Sequence, residues 1–452
     1  MSGSTPKIES ESWPGPKEPG GGITIYRGLL AHSVGDPFLG EDSLFFVEDG
    51  ALAFDANGRI CRVGAAAEIQ KAYPGGRLLG NPSVWLIPGL IDGHAHYPQV
   101  YATAAYGSDL LDWLQRSVFP AEAAFHDEGF AAHAARDFVG QILASGTTTA
   151  MVFGSQFEGA NRALFRAAKR AGLRLIAGMT MMDRFAPDEL LHTPQAAHDQ
   201  VCRLIAECEG EPRLGYAITP RFALSCSPAM LEVCGALHAR FPHCHVQTHL
   251  NENLEEIRQT AAHFPAAAHY LDVYAKAGLM GPKTVFAHGV FTSPAELEDL
   301  AASGSAVCHC PISNDYLGSG HFSLAAHLAK RIPVLMGTDI GAGTSFSIWD
   351  GLSRAYQVQQ AHGMSLNAAQ LLFLGTLGGA RALGLGQETG NFEVGKSADF
   401  FVLDPTRDPT LARRLGHCTS LEDQLFALVH LAKPSCMRAT FAAGTMVYAA
   451  PS

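Results

Sequence analysis

Apolar stretches that read as strands recur through the middle of this chain, and Ala-rich amphipathic stretches lie between most of them. That alternation restricts the fold more than any other feature. The strand candidates fall at 84–91, 147–153, 174–181, 214–219, 245–250, 284–288, 305–310 and 333–337. Helix candidates such as 121–144, 158–171 and 228–240 separate them, with Gly146 and Gly172 where helices should stop. Strands alternating with helices build a parallel sheet covered by helices. Eight such units close into a (β/α)8 barrel of the TIM type. At 452 residues, the chain is long enough for a large barrel plus an accessory domain.

Both ends read differently. Ser43–Val47 and Ala51–Phe54 flank turn residues Glu48, Asp49 and Gly50, and Asn57-Gly58 gives a hairpin signal before Arg59–Val63. Near the other end, Asp399–Leu403 and Arg438–Tyr448 are strand-like, with Gly444 as a turn. The expected fold class is therefore α/β: a barrel with a smaller β-rich domain built from both chain ends. The expected divisions are a disordered tail at 1–22, a composite β-sandwich from 23–87 and 388–452, and a catalytic barrel over 88–387.

Composition narrows the function. A net charge of −11 without a basic patch argues against nucleic acid. No apolar run reaches membrane-spanning length, and residues 1–22 lack the apolar core of a secretory signal. The ten cysteines, with no CxxC pair, read as reduced thiols in a cytoplasmic protein.

Barrel active sites lie at the C-terminal ends of the strands. His94-Ala95-His96 puts two imidazoles at i and i+2, on one side of an extended strand. His249 should close the fifth strand, His288 the sixth and Asp339 the eighth. The barrel thus brings five residues, far apart in sequence, to one mouth. Imidazoles and a carboxylate suit zinc, with iron second. Glu252, three residues after His249, stands near such a metal without ligating it, which suits a proton shuttle. Asp339 can take a proton from water, and His288 can stabilise developing charge or complete the ligand shell. No lysine lies between Lys169 and His249 to bridge a second metal, so one zinc per chain is expected.

Longer motifs join these residues. PGLIDGHAHYPQ (88–99), LLDWLQRSVFPAE (110–122), ITPRFALSCS (218–227), QTHLNEN (247–253), VFAHGVF (285–291), CHCPISN (308–314), GTDIGAGTS (337–345) and FEVGKSADFFVLD (392–404) run in order along the chain. In these motifs the chain resembles the amidohydrolase superfamily and, within it, the guanine deaminase family. PGLIDGHAH and GTD are common to the superfamily; HYPQ, W-L-x(4)-F-P-A-E and PRF are more specific. The 404–436 segment matches no pattern.

The resemblance implies metal ligation by His94, His96, His249, His288 and Asp339. It implies proton transfer by Glu252 and Asp339, and substrate contacts from Gln99, Arg221 and Phe222 beside His96, His249, Glu252 and Asp339. The implied reaction is zinc-dependent hydrolysis of guanine to xanthine and ammonia, a step of purine catabolism, in a cytoplasmic homodimer. The residue types agree. Arg221 offers fixed donors to a carbonyl, Gln99 offers donor and acceptor, and Phe222 can stack on a planar ring. Two rivals differ: a related deaminase or chlorohydrolase for another purine, pyrimidine or triazine, and a non-catalytic barrel scaffold. Scaffolds typically lose metal ligands, and this chain keeps a full set.

Other motifs carry less. Gly390–Ser397 fits GxxxxGK[ST], yet a strand rather than a helix should follow, so a turn is expected. His243-Cys244-His245 opens the fifth strand, at the wrong end of the barrel. In Cys308-His309-Cys310, alternation turns the ring away from both sulfurs. His126-Asp127-Glu128 lacks the P-C-x-x-C that another zinc-deaminase fold requires.

Overall fold

The computed structural model of the chain describes residues 22–40 and 43–451. The disorder expected of the tail falls outside the described residues, apart from Gly22. Sixteen strands follow in order among the described residues. The first four are β1 (Thr24–Ser33), β2 (Leu44–Phe54), β3 (Ile60–Ala65) and β4 (Arg77–Pro88). Then come β5 (Leu90–His96), β6 (Thr147–Phe153), β7 (Arg174–Gly178), the short β8 (Thr180–Met181), β9 (Leu214–Pro220) and β10 (His245–Leu250). The remainder are β11 (Thr284–His288), β12 (Ala306–His309), β13 (Val334–Met336), β14 (Phe400–Leu403), β15 (Met437–Ala442) and β16 (Thr445–Ala449).

One parallel sheet runs β13-β12-β11-β10-β9-β7-β6-β5, with β8 beside β9. Its end strands meet through the chain after β13. The amide of Asp339 donates to the His94 carbonyl at 2.7 Å, and that of His96 to the Ile340 carbonyl at 2.6 Å. Buried Asp92 adds a tie across the same seam, accepting from the Thr338 amide (3.0 Å) and hydroxyl and from the His94 amide at 3.1 Å. The (β/α)8 barrel is thereby completed. Its strands are apolar on both faces because side chains fill the inside and helices cover the outside. No helix of the described residues is long and apolar enough to cross a membrane.

The chain ends build a second sheet in the order β16-β15-β14-β4-β1-β2-β3. β4 runs parallel to β1 and antiparallel to β14. An aromatic cluster fills its core, with Phe400 stacked on Phe441 and Tyr26 edge-on to both.

Several boundaries differ from the sequence reading. Residues 84–88 lie in the second sheet, and the first barrel strand begins at Leu90. The crossing falls at Gly89, where an added Cβ would strike Thr148. No turn interrupts β2 at Glu48–Gly50; the pairing register slips there in a bulge opposite Gly28–Leu30. The helix expected over 121–144 is broken. Asp127 accepts from the Phe130 amide and starts a new helix, Glu128–Ala144. The unmatched 404–436 segment holds two helices, Pro409–Leu415 and Leu421–Leu431, whose apolar faces pack against the barrel core. Gly390–Ser397 turns into β14 as expected, and all ten cysteines are free thiols.

Candidate active site

His94 and His96 end β5, and both rings turn toward the barrel mouth. The Nε2 atom of His96 lies 3.2 Å from that of His94 and 3.2 Å from that of His249, the penultimate residue of β10. Oδ1 of Asp339 lies 3.2 Å from His94 Nε2 and 3.3 Å from His96 Nε2. His288, the last residue of β11, brings Nε2 to 3.8 Å from Asp339 and 3.5 Å from Glu252. All of these groups are buried. His288 and Asp339 also hold φ values of 73° and 51°, a backbone region that side chains disfavour. Such strain persists where surrounding structure imposes it, and it clusters at functional sites.

The donor set fits a metal ion. The Nδ1–H of His249 donates to the Arg221 carbonyl at 2.5 Å, and that of His288 to Asn314 Oδ1 at 2.9 Å. Each bond leaves the Nε2 lone pair facing inward. The Nε2 atom of His288 is buried without a hydrogen-bond partner among the described residues, a cost that a cation would remove. Burial pushes His96 down to about 4 and holds His94 and His249 below the usual histidine value, so these rings are neutral and able to ligate.

The carboxylates differ. Burial, then the neighbouring Asp339 and Glu256, raises Glu252 well above the ordinary glutamate value. Burial would also raise Asp339, but the imidazoles packed against it, His94 foremost and then His96 and His288, outweigh that and hold Asp339 well below the ordinary aspartate value. Local structure aims Glu252: Asn251 takes a left-handed φ of 50°, and Asn253 caps the following helix in a capping box with Glu256.

Above this cluster a narrow cavity is lined by His96, Gln99, Arg221, Phe222, His249, Glu252 and Asp339, with Leu110, Trp113, Leu114, Leu317 and Ala342 as apolar walls. Gln99 follows β5, and Arg221 and Phe222 follow β9. All nine residues expected from the sequence therefore stand together, with His94 and His288 beneath the cavity. His245 opens β10 at the opposite end, bonded to the Leu383 carbonyl. His309 stacks on Phe322, turned away from Cys308 and Cys310.

Three residues of this neighbourhood were not singled out from the sequence: Asp92, Asn314 and Glu122. Asp92 offered a signal, since it lies two residues before His94 in an apolar run. Asn314 and Glu122 fall inside quoted motifs, but only their spatial neighbours reveal what they do.

The chain belongs to the amidohydrolase family, whose model matches residues 85–447. Guanine deaminase of Escherichia coli strain K12 is 40% identical over 407 residues, covering 90% of this chain and 92% of that protein. The solved structure of the E. coli enzyme superposes with a TM-score of 0.91 at 38% identity, over 95% of this chain and 100% of that one. Guanine deaminase from C. acetobutylicum, solved with guanine bound in its active site, is 26% identical, with a TM-score of 0.86 over 94% of this chain and 100% of that one. Within the family, the chain stands among the guanine deaminases.

Proposed function

We propose that this chain hydrolyses guanine to xanthine and ammonia at the cavity over the His–Asp cluster. The observation that carries this reading is the meeting of two unlike groups at one cavity. Four imidazoles, Asp339 and Glu252 converge there, and Arg221, Gln99 and Phe222 line the same space. The E. coli and C. acetobutylicum relatives support guanine as the substrate.

His94, His96, His249, His288 and Asp339 would hold a single zinc ion. A bound zinc supplies a Lewis acid and lowers the pKa of its water from about 15.7 to about 7. The protein residues do the rest. Arg221 donates to the purine carbonyl, Gln99 reads the same edge, and Phe222 packs on the ring face. Asp339, held ionised, accepts the proton of the attacking water. Glu252, held protonated, gives its proton to the ring nitrogen as the water oxygen adds to the amino-bearing carbon; Asp339 then passes its proton to the amine, which leaves as ammonia, and Glu252 regains a proton from the added hydroxyl as the new carbonyl forms. Burial of the cluster keeps these exchanges away from bulk water.

The experiment pairs elemental analysis of gently purified protein with ammonia release from guanine. One zinc per chain and turnover are expected. Metal-loaded protein that releases no ammonia would refute the substrate, and metal-free protein would refute the ligand set. We further propose the expected division at 88–387 for the catalytic barrel, with its first strand from Leu90, and 23–87 with 388–452 for the composite β-domain, a single sheet rather than a sandwich, from which the helices Pro409–Leu415 and Leu421–Leu431 reach back to the barrel. Family membership supports a cytoplasmic homodimer, to be checked by light scattering, where a monomer at micromolar concentration would contradict it.

A further inference from the structure

Glu122 is wholly buried behind the cavity wall and does not line it. Its Oε1 accepts from Gln99 Nε2 at 3.0 Å. Its Oε2 accepts from Gln156 Nε2 at 2.6 Å and from Arg221 Nη1 at 2.7 Å. Three residues from three different strand-end loops thus meet on one carboxylate. A buried, unpaired carboxylate would be costly, and these donors satisfy it together. Burial alone would raise Glu122, but Arg221 and the hydrogen bonds from Arg221 and Gln99 hold it below the usual range.

The consequences for the two cavity residues are specific. Gln99 is fixed from both ends: its amide NH2 donates to Glu122, and its Oε1 accepts from the Gly341 amide at 3.2 Å. Arg221 is fixed by the Glu122 bond and by the Phe119 ring, whose centre lies 5.5 Å from the guanidinium carbon. Phe119 and Glu122 belong to one short helix, Phe119–Ala123. The segment just before it supplies Leu110, Trp113 and Leu114 to the cavity wall. One stretch therefore both walls the cavity and sets the direction of its donors.

We propose that Glu122 is the positioning residue that sets Arg221 and Gln99 as donors toward an oxo group, and so makes the site select a 6-oxo purine over a 6-amino purine. This rests on the guanine reading above. Arg221 carries N–H donors and no lone pairs, and its bond to the Glu122 carboxylate fixes where the remaining donors lie at the cavity. A carbonyl satisfies those donors. An exocyclic amine in the same place faces N–H against N–H, which a water-poor site penalises.

The test is Glu122→Gln, read on guanine and on 2,6-diaminopurine, which carries the same 2-amino group but an amine in place of the carbonyl. An amide cannot accept from three donors and turns an N–H toward one of them. The expected result is a KM for guanine raised about 10- to 100-fold, the cost of misplacing one charged hydrogen-bond donor. The change in kcat should be much smaller, zinc content should be unchanged, and the preference for guanine should fall. A purely structural role would instead lower metal content or the amount of folded enzyme without altering the preference.

Unchanged KM and unchanged preference would overturn the proposal. If Glu122→Gln yields no folded protein, Glu122→Asp carries the test. Its shorter arm keeps the charge but cannot reach all three partners, so a raised KM is again expected and a wild-type KM overturns the proposal. Wild-type protein that leaves guanine untouched would mark failure of the guanine reading itself. Active wild-type protein with an indifferent Glu122 variant would mark failure of this inference alone.

Discussion

Glu252 and Asp339 sit in one buried cluster, yet their environments drive them to opposite protonation states. In the proposed reaction that separation assigns the acid and the base, and it gives the expected pH profile a sign. Turnover should fall as pH rises through the elevated value of Glu252, because the proposed donor loses its proton. On the acid side Asp339 stays ionised through the ordinary aspartate value, so its own limb lies below that value. A pH–rate series checks both limbs, and loss of activity near an unshifted carboxylate value would contradict the assignment. Glu252→Gln should retain metal while kcat falls by about 10²- to 10⁴-fold, the usual worth of a positioned proton donor. Activity near wild type would remove Glu252 from the proton path. Asn314 acts differently, by fixing which nitrogen of His288 carries hydrogen. Asn314→Leu should weaken metal binding about 10- to 100-fold, measured by competition with a chelator. At this scale the sequence exposed the residues whose chemistry is unusual for their setting, such as paired imidazoles in an apolar strand. Glu122 was hidden because a lone carboxylate after F-P-A looks like any solvated helix residue. Only folding brings Gln99, Gln156 and Arg221, spread over 123 positions, onto it.

Elements were legible where periodicity was long and boundaries were marked. The helices 158–171 and 228–240 fall at the expected residues, with Gly172 in the left-handed conformation that ends the first. Residues 84–88 were misplaced because a strand buried on both faces reads the same in either sheet; the pairing of Phe401 with Ile87 has no local trace. The acidic pair Glu48-Asp49 imitates a turn, but Asp49 instead bonds Arg27 across to β1 and keeps the strand continuous. Among the short elements, the capping box after β10 bears most directly on the site. Asn253→Ala should cost about 1 kcal/mol of stability, read from denaturant unfolding, because two amides at the helix start lose their acceptor. Turnover should fall further than that loss explains, since the same cap holds the loop carrying Glu252. Equal activity at full metal occupancy would show that the loop is held by other contacts.

Across the whole molecule, burial of neutral histidines dominates the expected acid response. Burial pushes His32, His245 and His327 to about 4 and His309 to about 3, against an ordinary value near 6.5. The unfolded chain therefore binds more protons than the folded one between those values, and stability falls as pH drops from about 6.5 toward 4. Asp92, raised to about 6 by burial, and Glu252 and Glu256, raised as well, work in the opposite direction over part of that window, but His94, His96 and His249 join the four rings on the other side. Calorimetry should show Tm declining steadily through this range, and a flat Tm would mean that these rings are not buried neutral. The second sheet has a consequence of another kind. β4 lies between β1 and β14, strands that begin at Thr24 and Phe400. During synthesis on a ribosome, which proceeds from the N-terminus, the outer edge of β4 stays bare while some three hundred intervening residues emerge. Nascent chains of this protein therefore pass through a long interval with an unpaired strand edge, the state in which a chaperone is needed most.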